Sequence, residues 1–386
     1  MATNNVRNNL GQFPVGSVIG YDFGAPADTR WLECDGDTLD IFQYPELFAV
    51  IGHEYGGAGV SFNLPTTADS IINAFTEQPT QGAPITWTQG TSNFGDYSVQ
   101  NIMAGSDGNW VAQGGYNAGG SYARVITNDT TNPTDAWSLN TIDSGYFFDY
   151  GLDFDGTYWA GCVEGANRGV RTATDPTGTW TCRTIVTNDI TSLRYANSIW
   201  VLGTQSGNIW TATDPTSTWT ERTSPFAQRI YSIDWDGTYW VVAGATGLIS
   251  TATDPTGAWT AQTSSFDVGD IIWKARYGNS IWVAVGSNGK VATATDPTGT
   301  WTQRSNPFGA SEAIRSVAYG AGAWVICGEA GTLCTATDPT GTWTERTSSF
   351  AATDKLNDVL YSNGYWVCVG YSTTSTGKLA TAKPGV

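Results

Sequence analysis

One phrase constrains this chain more than any other. Thr-Ala-Thr-Asp-Pro-Thr-Gly-Thr-Trp-Thr stands at residues 172–181 and returns with few changes from Thr211, Thr251, Thr293 and Thr335. A degraded copy occupies 125–137 and a truncated one 379–384. The Trp that ends the phrase falls at 137, 180, 219, 259, 301 and 343, and an isolated Thr-Trp-Thr places another at Trp87. A second Trp series keeps step at 110, 159, 200, 240, 282, 324 and 366. Each series has seven members, and most spacings are 39 to 43 residues. A period near forty, built of short β-prone runs, is that of stacked four-stranded units arranged as a propeller.

The unit containing 314–347 shows the four expected strands, at 314–320, 324–328, 332–337 and 342–347. They are rich in Val, Ile, Thr and aromatics and are separated by Gly- and Pro-bearing turns. Asp-Pro-Thr-Gly is then the hairpin between third and fourth strands. The Asp carboxylate accepts from an amide two residues on, and Pro presets φ. The Trp after it opens the outer strand and fills the wedge between units. The last unit has three strands, up to 382, and lacks the fourth. The early Thr-Trp-Thr supplies it, so a strand at 86–90 is expected to pair with 378–382, closing the ring and removing an open edge. The expected class is all-β: a seven-bladed β-propeller over 86–386, preceded by a small α+β domain at 12–76, a polar linker at 77–85 and an arm at 1–11.

The net charge of −17, from 18 basic and 35 acidic residues, repels phosphate and argues against nucleic acid or an anionic membrane as partner. Six Cys are scattered with no Cys-x-x-Cys pair, so no zinc site is expected. A two-residue turn at Ala330-Gly331 would set Cys327 and Cys334 across from each other as reduced thiols. Residues 1–12 lack the apolar core of a signal peptide, no run of 18 apolar residues occurs, and assembly in a cytosol is expected. No cofactor is implied.

From Phe13 the chain carries ordered blocks: Pro14-Val15-Gly16-Ser17, Trp31 with Cys34-Asp35-Gly36, Tyr44-Pro45-Glu46-Leu47-Phe48, Ile51-Gly52, Tyr55-Gly56-Gly57 and Phe62-Asn63-Leu64-Pro65. These resemble the phage tail-collar domain over about residues 12–76. The family continues after Leu-Pro with Asp-Leu-Arg-Gly, whereas here Thr66-Thr67-Ala68-Asp69 follows. The resemblance implies a virion tail component, assembled in the host cytoplasm, homotrimeric, and in contact with other tail or baseplate proteins. Read from residues alone, 44–51 is a helix with Pro45 in its first turn and Leu47, Phe48, Val50 and Ile51 on its apolar face. Gly56-Gly57-Ala58-Gly59 ends it, and Cys34-Asp35-Gly36-Asp37 is a tight turn.

His53 is the sole histidine and sits among structural blocks, which argues against a Ser-His-Asp triad. The repeated hairpin resembles the Asp-box of sialidase-type propellers. The Asp175-to-Trp180 spacing is kept, but Gly178 comes one residue late and Ala173 replaces Ser/Thr. That resemblance implies a folding device, so Asp175, Asp214, Asp254, Asp296 and Asp338 are structural turn residues. Arg183, Arg222, Arg304 and Arg346 share an outer-strand position too far from the axis to converge, and Arg194, Arg276 and Arg315 lie on inner strands in differing registers. A glycosidase needs two carboxylates across a cleft; Asp149, Glu164, Asp234, Asp270, Glu312, Glu329 and Asp358 break the repeat, but spacing does not pair them. Loops between blades, and those between second and third strands, share one face. Their variation at 116–122, 143–149, 164–168, 186–190 and 306–314 marks that face as the one carrying function. Candidate receptor contacts are Tyr116, Tyr146, Phe147, Glu164 and Trp210, centred on blades one and two, where the repeat is most broken. The leading expectation is a tail protein whose propeller binds a host surface receptor, a polysaccharide for instance, by multivalent adhesion without chemistry. The alternatives are a propeller glycosidase acting on host polysaccharide and a structural tail or baseplate component.

Overall fold

The structure, a computed structural model, describes residues 18–20, 31–41, 43–58, 60–73, 86–117, 120–144, 147–164, 169–183 and 188–384. The arm at 1–11 and the linker at 77–85 lie outside the described residues.

Seven four-stranded antiparallel sheets form a β-propeller. Blade four is representative, with strands Ile230–Trp235, Trp240–Gly244, Ile249–Ala252 and Thr260–Gln262. The first strand of each blade lines the axis. Blade one runs from Val99–Ala104 to Ser138–Ser144. Blade seven joins Lys355–Ser362, Tyr365–Tyr371 and Gly377–Ala382 to Thr88–Gly90, with Leu379 opposite Gly90 and Thr381 opposite Thr88.

The core is seven wedges, one between each pair of blades. Between blades four and five, Val241, Ala243 and Ile249 meet Ile272, Ala275, Trp282, Ala284 and Trp301. Every member of the second Trp series is fully buried. Fully burying side chains of this size contributes roughly 1.5–3 kcal/mol each or more, so the Trp period is the period of the core.

The rim hairpins repeat to the atom. In each, the Asp Oδ1 accepts from the backbone N–H of the Thr two residues on at 2.7–2.8 Å and from its hydroxyl at 2.7 Å. The Trp indole N–H donates to the Pro carbonyl, at 3.1 Å for Trp180. Blade one carries the degraded copy of the phrase, with a longer segment in place of Asp-Pro-Thr-Gly. There Asn132 accepts from the amide and hydroxyl of Thr134, and Trp137 donates to Pro133. An amide oxygen serves as well as a carboxylate here, so the extra residues precede an intact turn.

Three expectations are corrected. Cys327 stands opposite Leu333, one residue out of step with Cys334. The two thiols therefore point into different wedges, Cys327 beside Cys368 and Cys334 beside Phe308, and all six Cys are free. Asn306–Ile314 is not an irregular loop. Ser224, Ser264, Asn306 and Ser348 each accept from the amide of a Phe two residues on, and Phe226, Phe266 and Phe308 are buried. Finally, Arg194 and Arg276 share a register, opposite Val201 and Val283; only Arg315 differs.

The smaller domain contains a three-stranded sheet (Val18–Gly20, Thr66–Asn73, Trp31–Asp35), a two-stranded sheet (Thr38–Asp40 with Ser61–Asn63) and one helix, Pro45–Ile51. Cys34, Leu47, Phe62 and Leu64 form its core. Val50 is 58% exposed rather than packed. At about 100° per residue it lies well off the centre of the stripe made by Leu47, Phe48 and Ile51. The helix ends at Gly52, whose amide reaches the Phe48 carbonyl at 2.8 Å, rather than at Gly56.

Candidate functional site

The residues singled out in the sequence fall in several places. Tyr146, and the side chains of Tyr116, Phe147 and Glu164, lie outside the described residues. Backbone pairing sets Phe147 opposite Glu164 and Tyr116 opposite Ser121. Trp210 is half-buried against the wedge between blades two and three. The repeat-turn Asp residues stand on the rim, and Arg222, Arg304 and Arg346 there bond Thr211, Thr293 and Thr335 of their own blades at 2.7–2.8 Å.

A different set of residues converges on the axis. Each inner strand from blade three round to blade one carries a register shift after its first residue, or its second in blade seven. A bulge releases one residue from the ladder and re-aims its side chain. The six residues are Gln100, Thr191, Tyr231, Trp273, Arg315 and Asn357, at the loop-face mouth of the central channel. In five of these six blades the bulge has its own sequence signal, a Gly four residues after the second Trp; blade three has Thr204 there. At Gly244, Gly286 and Gly328 an added Cβ would stand 2.1–2.3 Å from the carbonyl at the start of the bulge, closer than any side chain allows. The residue before the bulge is Ile, Leu or Val in all six blades, whereas the bulged residue differs in each of the six.

Three bulged residues and their neighbours make a cationic, aromatic arc. The Arg315 guanidinium lies 4.0 Å from the Trp273 ring centroid, and Arg229 lies 4.9 Å from that of Tyr231. The two rings meet edge to face at 4.6 Å. Glu329, on the hairpin between the second and third strands of blade six, holds Arg315 at 3.0 Å and Lys355 at 3.6 Å. Burial pushes the Glu329 carboxyl upward, but bonding to Arg315 and the Ala313 amide outweighs it and holds the group below its ordinary range.

Deeper in the channel charges alternate around one side. Asp153, Arg194, Asp234 and Arg276 occupy one register of blades two to five, while Ala318, Leu360 and Met103 occupy it in blades six, seven and one. Arg194 bridges Asp153 at 3.2 Å and Asp234 at 3.1 Å. Burial works against its charge, yet the two carboxylates prevail and raise its pKa. Lys274 pairs with Asp358, which also accepts from Ser316 at 2.6 Å and from the Ile102 amide at 3.2 Å. Burial nonetheless pulls the Lys274 pKa down.

The other end of the channel is covered. A cavity of about 130 Å³ runs along the axis to the ring Tyr277, Tyr319 and Tyr361, and there Asp40, Gln43 and Val60 of the small domain complete its wall. Val60 packs against the wedge between blades three and four. Burial, then the charge of Asp40, raises the Tyr319 phenol pKa. Among the described residues no group of His, Cys, Asp and Glu is placed to hold a metal ion, and no helix is long and apolar enough to cross a membrane.

Residues 16–72 match the family model of the Phage Tail Collar Domain. No curated protein matches the chain in sequence. In fold the chain is similar to YCF48 bound to D1 peptide (TM-score 0.60, 15% identity, covering 79% of this chain and 96% of that one) and to YCF48 from Cyanidioschyzon merolae (0.60, 14%, 78% and 99%). It is also similar to the WD40 β-propeller domain of Doa1 (0.56, 12%, 77% and 96%). At such identities these likenesses show the propeller fold alone. The collar match points to a phage tail protein.

Proposed function

We propose that this is a host-attachment protein of a phage tail, in which the collar domain joins the particle and the propeller's loop face binds a cell-surface receptor. One observation carries the reading: the collar domain covers one mouth of the channel, so the mouth on the loop face is the one left for an external ligand. The loops of that face are held by a rigid scaffold, as recognition surfaces commonly are. Binding takes place without bond cleavage, and weak single sites gain strength when the tail displays several copies, three in a homotrimer. Cytoplasmic assembly with other tail or baseplate proteins belongs to the same reading.

Adding the purified full-length protein to host cells before infection tests this. Dose-dependent loss of virion adsorption is expected, with no release of reducing ends from host polysaccharide. Undiminished adsorption at saturating protein would favour a structural tail role. Steady reducing-end release would favour the glycosidase reading that non-repeated acids such as Asp234 and Asp358 raise.

A further inference from the structure

We infer that the loop-face mouth of the channel is a binding site for a carboxylate-bearing sugar, formed by Arg315, Lys355, Arg276, Trp273 and Tyr231 on blades four to seven. The inference rests on the receptor-binding reading above and names its ligand and its place, away from blades one and two.

Three observations converge. First, the bulges place there an inner-strand position that differs in each of six blades. A scaffold position in a seven-fold repeat has no reason to vary blade by blade, whereas a site that occurs once must break the repeat. Second, charge is concentrated against the trend of the chain. The protein as a whole is strongly acidic, yet Arg229, Arg276, Arg315 and Lys355 gather in this arc; Lys274 is taken up by Asp358, and Glu329 is the carboxylate that Arg315 and Lys355 share. Arg276 lies 3.9 Å from Asp234, a carboxylate already engaged by Arg194 at 3.1 Å. A second anion between these cations replaces long contacts with short ones. A guanidinium braced on an aromatic face is preorganised for a planar carboxylate, whose two oxygens its fork can engage together.

Third, the lining suits a sugar. Asn101, Ser192, Ser232 and Asn357 join Tyr231 and Trp273 around the mouth, with Leu193 and Ile233 as the aliphatic members. Ser232 and Asn357 already bond within the propeller, so the surface offered to a sugar ring is the Tyr231–Trp273 pair. The mouth narrows to about 20 Å³, room for about one water molecule. The carboxylate therefore stays above the constriction, against Arg315 and Lys355, and the sugar ring lies on the aromatic arc.

The test uses the full-length protein and two immobilised forms of a uronic-acid polysaccharide, native and carboxyl-reduced. Native polymer should bind, and the reduced polymer should bind roughly 10- to 100-fold more weakly, the range for losing a charge-assisted hydrogen bond. Lys355→Ala, at a side chain 41% exposed, should weaken binding at unchanged melting temperature. Arg315→Lys should weaken it further, since the ammonium keeps the charge and loses the fork. Glu329→Gln removes the competing carboxylate and should strengthen it. Equal binding of both polymers, or wild-type affinity in folded Arg315→Lys and Lys355→Ala, would overturn the assignment. So would preference for a phosphate-bearing polymer or for an acidic peptide. If the protein blocks adsorption while these variants have no effect, the ligand assignment fails and the attachment reading stands. If wild type blocks no adsorption, the attachment reading fails by itself.

Discussion

The rim of the propeller and its channel are made by the same repeats, yet they behave oppositely. At the rim, blades one to six make the same turn with the same three bonds, and even the Asn132 copy preserves them. At the channel the bulged residue is never the same twice: Gln100, Thr191, Tyr231, Trp273, Arg315, Asn357. In a chain that repeats itself, identity between copies reports what each blade needs to fold, and difference reports what the whole needs only once. This is a physical distinction. A rim hairpin is satisfied within its own blade, whereas an inner-strand side chain faces residues from other blades.

If the contrast holds, rim changes cost stability and spare binding. The largest effect is expected from Trp259→Ala, which empties a nearly buried site and should cost about 3–5 kcal/mol. Denaturant unfolding measures it, with adsorption per folded molecule unchanged. Channel changes should do the reverse unless they strand a charge. Asp358→Ala is the sharpest exception, because it leaves Lys274 buried without its carboxylate. A loss of about 3 kcal/mol is expected, and Lys274→Met in the same chain should recover much of it. Failure of that rescue would mean Asp358 acts chiefly through Ser316 and the Ile102 amide.

Asp254→Ala should cost about 0.5–2 kcal/mol, by analogy with lost helix caps, and leave adsorption untouched. A binding defect at normal stability would invert the contrast. The turn carries its own pH signature. Bonding to the Thr hydroxyl and amide holds Asp175, Asp254, Asp296 and Asp338 below the usual carboxylate range. Their stabilisation is present above the unfolded Asp value near ~3.9 and is lost as pH falls through the lower folded value. These side chains are exposed, so the effect is small for each turn. Blade one is the internal control, because Asn132 does not titrate. Amide exchange should quicken in acid at 254–259 and stay level at 132–137.

The smallest effect concerns the turns between first and second strands. Asp107, Asp155 and Asp236 accept from the indoles of Trp159, Trp200 and Trp282 at 2.9–3.1 Å. The indole nitrogens of Trp240, Trp324 and Trp366 are buried without a partner, and the turns of the preceding blades lack that Asp. Replacing 196–199 by Asp-Gly-Thr-Tyr, the turn found at 155–158, should give Trp240 an acceptor and up to about 1 kcal/mol. Calorimetry would detect it, and no gain would mean the backbone of the grafted turn does not follow its parent.

The blades and the hairpin chemistry were legible because both are local and repeated: the Trp period names the wedge, and Asp-Pro-Thr names the turn. Substitution by a residue with the same acceptor hid the blade-one turn, since Asn132 does the work of Asp with a different letter. A one-residue register offset undid the Cys327–Cys334 juxtaposition, as alternation in a strand sends neighbouring positions to opposite faces. The mouth was missed for a related reason. A bulge inserts one position that obeys no alternation, so spacing does not bring Tyr231, Trp273 and Arg315 together, even though Trp273 reads as an aromatic off the repeat and Arg315 as an arginine out of register. Aligning the inner strands on the second Trp of each blade, five of which are followed four residues on by Gly, would have exposed the column. The seat of the collar domain depends on Asp40, Gln43 and Val60 meeting residues hundreds of positions away, and no spacing encodes that.

The pairing of Thr88–Gly90 with Gly377–Ala382 also sets a clock. Its partners lie about 290 residues apart in sequence, a separation that makes closure late and entropically costly. During synthesis Trp87 and its strand emerge early and must wait, unpaired, until the third strand of blade seven has left the ribosome. A chain cut short anywhere in between has no way to complete the ring, and its exposed edges mark it for aggregation or proteolysis. The last bond formed therefore certifies that the whole chain has been made.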